Sequence, residues 1–331
     1  MSLLTRASPL LGEIKEPIGE ELRTFDRHFR EAMRSRVGLV DMIARYILRQ
    51  KGKRVRPMLV LLSSKLCGGV NDRTYRGATL VEILHTATLV HDDVVDDADT
   101  RRGLASINAV WKNKVAVLMG DYLLSRGLLL ALEHGDHDFL RFTSNAVKRM
   151  SEGELLQIQR SRRLDLDEET YVRIISDKTA SLFSACTEIG AASATEDPAL
   201  QKAMKDFGEN VGLAFQIRDD VLDYLGRRSI IGKPTGVDMK EKKLTLPLIY
   251  ALERGDRADA KRALRIIRNG AKRKDVEWVV AYVAAAGGID YALRRAMQYA
   301  SAARGILSEM PPSDAREALG LFVGFVTDRT R

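Results

Sequence analysis

No proline stands between Pro57 and Pro198, and the whole 331-residue chain has only eight. Proline lacks the amide proton a helix interior needs and its ring clashes with the preceding turn, so so long a proline-free interval can hold uninterrupted helices. The interval is rich in Ala, Leu and Val at helical spacing, the pattern of consecutive helices. Strand signals are scarce, and no two-residue hairpin turn flanked by alternating residues is seen. Breaks are expected near Cys67–Asp72, Asp99–Gly103, His134–Asp136 and Thr195–Pro198, and the longest irregular stretch runs from Gly226 to Lys243. The last third reads as helical, with loops near Asn269-Gly270, Gly287-Gly288 and Pro311-Pro312. No Gly/Ser- or Pro-rich linker divides the chain. The expectation is an all-α fold of about a dozen helices around a central cavity, one domain over residues 1–331.

Two copies of one acidic signature are the only internal repeat: Asp92-Asp93-Val94-Val95-Asp96 and Asp219-Asp220-Val221-Leu222-Asp223. On a helix, residues i and i+4 lie one turn apart on one face, with i+1 beside them. Three carboxylates that close repel one another unless a cation intervenes. Loose carboxylate clusters suit Mg²⁺, a hard ion that keeps waters and shares its sphere with phosphate oxygens. Two facing clusters could hold a diphosphate between them. A single such run is as readily a solvated helix face, but these two follow apolar stretches, Thr88–His91 and Leu213–Ile217, where carboxylates are expected to be buried and to need a partner.

Composition narrows the function. Hydrophobic residues make up 45% and charged residues 30% of the chain, which suits a globular protein with a sizeable core. The first 17 residues lack a signal pattern, and no apolar run reads as long enough to span a bilayer. Two cysteines, Cys67 and Cys186, without CxxC spacing, fit reduced thiols of a cytoplasmic protein. The net charge is +8, with Lys and Arg reading as spread along the chain and no aromatic interleaving. That points away from nucleic acid and toward an anionic substrate. Lys53 and Arg56 stand at i, i+3, and His85 lies two turns before Asp92. Arg101 and Arg102 follow the first acidic cluster, Lys178-Thr179 sits mid-chain, and Lys233 and Lys243 flank the irregular stretch. Arg offers a planar fork to phosphate and Lys a point charge.

From Gly52 to Pro247 the chain resembles the trans-type isoprenyl diphosphate synthases, the polyprenyl synthetase family. The resemblance rests on Gly52-Lys53-Arg54-Val55-Arg56-Pro57, on the run from His85 to Asp96, on Arg101-Arg102-Gly103, Gly120-Asp121-Tyr122 and Lys178-Thr179, and on the Phe215–Asp220 and Gly232-Lys233-Pro234 segments. It implies an isoprenoid-synthase-like helical bundle. It implies that Asp92, Asp93, Asp96, Asp219, Asp220 and Asp223 bind Mg²⁺, with Mn²⁺ as an alternative. It further implies that Arg101, Lys178, Lys233 and Lys243 hold an allylic diphosphate, and that Lys53, Arg56, His85 and Arg102 hold isopentenyl diphosphate. Thr179 and Gln216 would face the developing cation, and the departing diphosphate would take the final proton. A homodimer is the family expectation, with no stable membrane anchor. Arg218 and the loop 226–231 depart from the family's usual pattern.

The resemblance also bears on product length. Positions four and five before Asp92 are Thr88 and Ala87, both small, where family members that stop early carry bulky aromatics. The expectation is therefore a long-chain all-trans polyprenyl diphosphate synthase, serving quinone side chains. Alternatives are a short-chain farnesyl or geranylgeranyl synthase and a non-catalytic subunit of a heteromeric synthase. Such a subunit usually loses one Asp cluster, and this chain keeps both.

Overall fold

The computed structural model describes residues 7–50, 52–225, 237–270 and 272–327. Sixteen α-helices follow one another through them: α1 (Ala7–Lys15), α2 (Gly19–Ala32), α3 (Gly38–Arg49), α4 (Val55–Cys67), α5 (Asp72–Val95), α6 (Ile107–Glu133), α7 (His137–Arg163), α8 (Glu168–Ile175), α9 (Ser181–Ala194), α10 (Pro198–Tyr224), α11 (Val237–Lys240), α12 (Leu246–Arg254), α13 (Arg257–Arg268), α14 (Arg273–Ala285), α15 (Gly288–Ser308) and α16 (Asp314–Thr327). The all-α expectation holds. The number exceeds a dozen because several helices are short; α11 has four residues, too few for a periodicity to be read.

The expected breaks fall where local chemistry places them. Gly68 and Gly69 end α4 with positive φ, and Asn71 opens α5 with a capping box, its side chain accepting from the Thr74 amide at 3.1 Å. Asp197 caps α10 and Pro198 occupies its first position, where the missing amide proton costs nothing.

Sequence reading missed one hairpin. Strands β1 (Thr100–Arg101) and β2 (Leu104–Ala105) pair antiparallel, joined by Arg102 (φ 51°) and Gly103 (φ 81°). Positive φ at both central residues is the backbone of a tight primed turn. Each strand is two residues long, so no alternation could reveal it.

Two apolar cores meet along α10. Its first half sends Phe207, Val211 and Ala214 into a core shared with α4, α5, α6 and α9. Its second half sends Ile217, Val221 and Tyr224 into a core shared with α8 and α12 to α15. Helices α4 and α9 are buried nearly all round, with unbroken buried runs at 57–64 and 180–187, so they carry no polar stripe.

Helix α6 corrects another expectation. It is the one described helix long and apolar enough to cross a bilayer, with a mean hydropathy of 1.6 over its most apolar window, of which only 33% is buried. Val110, Val117, Leu118, Leu129 and Leu132 are all exposed. Lys112, Lys114, Asp121 and Arg126 obscure the apolar run when it is read linearly.

Candidate active site

Both acidic clusters sit at helix C-termini. Asp92 and Asp93 lie in the last turn of α5 and Asp96 is its C-cap; Asp219, Asp220 and Asp223 occupy the final turns of α10. The helix dipole is negative there, opposing each carboxylate by roughly 0.3–1 kcal/mol, beyond the repulsion within each cluster. A bound cation would reverse both terms.

The six carboxylates are not equivalent, and the expected burial holds only for the second residue of each cluster. Asp93 is 2% exposed and Asp220 7%, whereas Asp92 and Asp96 are exposed and Asp219 and Asp223 half-buried. Asp93 turns inward and accepts from Arg101 Nε at 2.7 Å and Nη2 at 2.5 Å. Asp220 accepts from the Tyr171 hydroxyl at 2.7 Å and from Gln216 Nε2 at 2.7 Å. Both aspartates therefore also hold neighbouring side chains in place.

The more accessible members are Asp92 and Asp96 at the end of α5 and Asp219 and Asp223 at the end of α10; of the six, Asp220 lines the neighbouring cavity. Asp92 lies in a cleft; burial pushes its carboxyl up, Lys178 opposes that, and Asp96 and Glu154 reinforce it. Asp238, after the second cluster, joins it. Burial and then the Asp223 charge raise it to about 6, and its amide donates to Asp223 at 3.4 Å. Among the described residues no three Asp, Glu, His or Cys side chains converge on one metal position by themselves. Such pairs, charged and incomplete, fit an ion that keeps waters and takes phosphate oxygens from a substrate.

Beside these clusters lies an open cleft lined by Gln157, Tyr171, Lys178, Gln216, Asp220, Asp238 and Lys243, among others. Residues Ser176–Ala180 form a π-helical turn between α8 and α9, a rare element that concentrates at functional sites. It presents Lys178, which is ion-paired with Glu154 and donates to Gln157 at 2.7 Å. It also presents Thr179, whose hydroxyl donates to Gln216 Oε1 at 2.8 Å. Thr179, Gln216, Asp220 and Tyr171 thus form one chain of hydrogen bonds joining three elements. The turn is held from behind by Arg149, which donates to Asp177 at 2.7 Å, Ser176 at 2.7 Å and Glu209 at 2.8 Å. Gly153 lets α7 approach, since a Cβ there would lie 3.0 Å from the Lys178 amide nitrogen. Lys243 pairs with Glu241 at 2.5 Å. Burial alone would lower its pKa, but Glu241, Asp238 and Asp96 raise it, which places Lys243 near Asp96 and Asp238.

A second pocket, of about 450 Å³, is lined by Arg54, Glu82, Asp93, Arg101 and Arg102, among others. Arg56 is buried beside it, over the Phe183 ring at 5.8 Å, with its Nε unpartnered. His85, 8% exposed, is driven well below its ordinary pKa by burial and by Arg56, Arg102 and Arg101, so its imidazole is neutral. Glu82 binds Arg54 at 2.7 Å and Asp93 binds Arg101, which among the described residues leaves Arg56 and Arg102 as the cations free to meet an anion. The i, i+3 face expected for Lys53 and Arg56 does not form. Arg54 is left-handed (φ 57°) and α4 begins only at Val55, so Lys53 lies outside the helix, 5.7 Å over the Phe325 ring.

Ala87 is buried on α5 at 2% exposure, and half-buried Thr88 donates to the His85 carbonyl at 2.9 Å. Lys233 and most of the Gly226–Lys243 stretch lie outside the described residues. Sequence reading missed Tyr171, Arg149, Glu154, Glu82 and Asp238. Only Asp238 carried a linear signal, an acid close before Lys243; the others are joined to the site by tertiary packing alone.

The polyprenyl synthetase family model matches residues 37–283. Over 320 residues the chain is 37% identical to the all-trans-nonaprenyl-diphosphate synthase (geranyl-diphosphate specific) of Rhodobacter capsulatus, covering 96% of this chain and 97% of that one. It is 36% identical to the octaprenyl diphosphate synthase of Escherichia coli (strain K12), covering 93% and 96%. A crystal structure of a polyprenyl synthase from Caulobacter crescentus CB15, complexed with calcium and isoprenyl diphosphate, superposes with a TM-score of 0.90 at 36% identity, covering 97% of this chain and 98% of that one.

Proposed function

The chain belongs to the polyprenyl synthetase family of prenyltransferases, and from that premise we propose that it elongates an allylic diphosphate with isopentenyl diphosphate into a long all-trans polyprenyl diphosphate that serves quinone side chains. The observation that carries this reading is the pairing of two anion-binding surfaces at one site: two acidic clusters at the ends of α5 and α10, and a separate cluster of Arg56, Arg102 and neutral His85. One diphosphate is held through metal and the other by cations directly. One domain is proposed, because α10 builds both cores.

Asp92, Asp96, Asp219 and Asp223 would hold Mg²⁺, with Asp220 and Asp238 beside them. The metal supplies Lewis-acid neutralisation of the leaving diphosphate. Lys178 and Lys243 add point charges to the same phosphate oxygens, together with Arg101, oriented by Asp93. As the allylic C–O bond breaks, the electron pair leaves with the diphosphate. The hydroxyl oxygen of Thr179 and the amide oxygen of Gln216 are set beforehand by their mutual hydrogen bond, so their dipoles meet the cation without reorganisation. Arg56, Arg102, Lys53 and His85 hold isopentenyl diphosphate with its double bond toward that carbon. The double bond attacks, a new C–C bond forms, and the proton lost from isopentenyl C2 goes to the departing diphosphate. The test is incorporation of labelled isopentenyl diphosphate into an allylic primer. Incorporation should require Mg²⁺ and stop on chelation; incorporation that survives chelation would sink the reading.

Metal binding should depend on pH with a definite sign. Asp238 titrates near 6 when folded, against 3.8 without the fold. Its protonated form is therefore favoured by folding, and the metal-free protein loses that stability as pH rises through about 6. A metal needs the ionised form, so Mg²⁺ affinity should weaken as pH falls through about 6. Tm scans from pH 5 to 8 should show Mg²⁺ raising Tm at the upper end and having little effect at the lower. A Tm rise independent of pH would contradict the assignment.

We further propose a cytoplasmic homodimer built on α6 and α7, which makes α6 an interface helix. Val117, Leu118, Leu129 and Leu132 of α6, with Leu155 and Ile158 of α7, are large apolar residues left exposed, the kind of surface a partner copy covers. Leu118 is 59% and Leu155 66% exposed. Leu118→Glu with Leu155→Glu should convert a dimer to monomer in sedimentation velocity; an unchanged sedimentation coefficient would remove these helices from the interface.

A further inference from the structure

The positive charge is not spread along the chain as the linear sequence suggested. Residues 254–274 hold nine Lys and Arg against two Asp, seven of the net eight charges. Helix α13 organises them. Ala260, Ala263 and Ile267 face the second core, while Arg257, Lys261, Arg265 and Arg268 are exposed at spacings of four, four and three, which is one face of a helix. Exposed Arg254 at the end of α12 and Lys272 and Lys274 at the start of α14 lie close to this row in sequence. Arg262 lies 4.1 Å over the Trp278 ring. Among the described residues, Arg257, Lys261, Arg265 and Arg268 have no ion-pair or side-chain hydrogen-bond partner. Of the two acids, Asp256 is occupied as the N-cap, accepting from the Ala258 and Asp259 amides at 2.8 and 3.0 Å. Cations at i, i+4 repel, and Arg257 stands at the first helical position, where the dipole is already positive. Folding alone gives no reason for such a row.

We infer that the exposed face of α13 docks on an anionic lipid surface. A straight row of cations on a convex helix fits a plane of negative headgroups, and a basic amphipathic helix of this kind suits a membrane surface. No large apolar residue is exposed between 254 and 274, so the contact is electrostatic adsorption without insertion. Nucleic acid is the poorer fit, because no exposed aromatic interleaves with the cations to stack on bases. The choice of lipid also rests on the function proposed above, whose product is itself a lipid that must reach a bilayer.

The test uses the full-length enzyme without substrates, so its outcome is separate from that of the elongation assay. Cosedimentation is measured with neutral phosphatidylcholine vesicles and with vesicles of roughly one-third phosphatidylglycerol. The protein should bind only the anionic vesicles and be released by about 0.5 M salt, where screening is strong. Arg257→Glu, Lys261→Glu, Arg265→Glu and Arg268→Glu together should lower partitioning by on the order of 100-fold or more, leaving condensation of soluble short primers unchanged. If that variant does not fold, Lys261→Gln with Arg265→Gln decides, with an expected loss of about tenfold. Equal binding to both vesicles, unaltered binding by the variants, or tighter binding to duplex DNA at the same salt would each overturn the inference.

Discussion

Asp92→Asn should cut the condensation rate by about 10³-fold or more while leaving the fold at least as stable. Asp92 stands exposed at the C-terminal end of α5, with Asp96 one turn on and Glu154 nearby. Removing its charge relieves repulsion and an unfavourable dipole contact, so Tm should stay level or rise by a few degrees. The same change removes an anionic metal ligand, a loss of several kcal/mol from the transition state, and each 1.36 kcal/mol is about tenfold in rate. Asp93→Asn, one residue on, should behave oppositely. Asp93 is buried against Arg101, and its loss leaves a partly buried guanidinium without its partner, costing about 2–3 kcal/mol. Tm should fall and the loss should appear in diphosphate binding as much as in rate. Paired melting curves and kinetics of the two variants separate the roles. Equal behaviour of the two would show that the division between exposed and buried aspartates is wrong.

Ala87→Phe should shorten the product to twenty carbons or fewer while sparing the first condensation. Ala87 lies on α5 about one turn below Asp92 and is buried. On the proposed reading a growing chain would extend from the metal site along this helix, and a phenyl ring there would meet the chain after one or two additions. Deeper on α5, Leu80 and Leu84 pack against Gly127 of α6, where an added Cβ would lie 3.3 and 3.4 Å from them. That seam, roughly 5–10 Å beyond Ala87 along α5 at 1.5 Å per residue, is the proposed floor of the chain site. Each added isoprene unit buries five carbons, about 3–4 kcal/mol at full burial, so the site favours growth until it is filled. If Ala87 serves only in packing, phenylalanine should overpack the core, cost about 1–3 kcal/mol and leave product length unchanged. Chromatography of dephosphorylated products beside a melting curve distinguishes the two.

Much of this was legible before any coordinates. The absence of proline between 57 and 198 gave the helices, and the repeated Asp pattern gave the acidic site. What linear reading could not supply was the division of labour inside each cluster. Asp92 and Asp93 are adjacent and chemically identical; one is exposed and the other is buried against Arg101 because a helix turns 100° per residue. The support of the π-helical turn was equally hidden, since Arg149, Asp177 and Glu209 belong to three elements. The basic row on α13 was diluted by intervening apolar residues, and the hairpin that aims Arg101 and Arg102 was too short to show a period. The membrane-length character of α6 was masked by the charged residues interspersed along it.

The most direct measurement is the length of the product made by the unmodified enzyme. Purified protein, Mg²⁺ and labelled isopentenyl diphosphate are incubated with geranyl or farnesyl diphosphate, and the dephosphorylated products are sized by reversed-phase chromatography. A product ladder that ends well beyond geranylgeranyl is the predicted result. A product that stops at twenty carbons would contradict the long-chain reading, and no elongation from either primer would contradict the catalytic one.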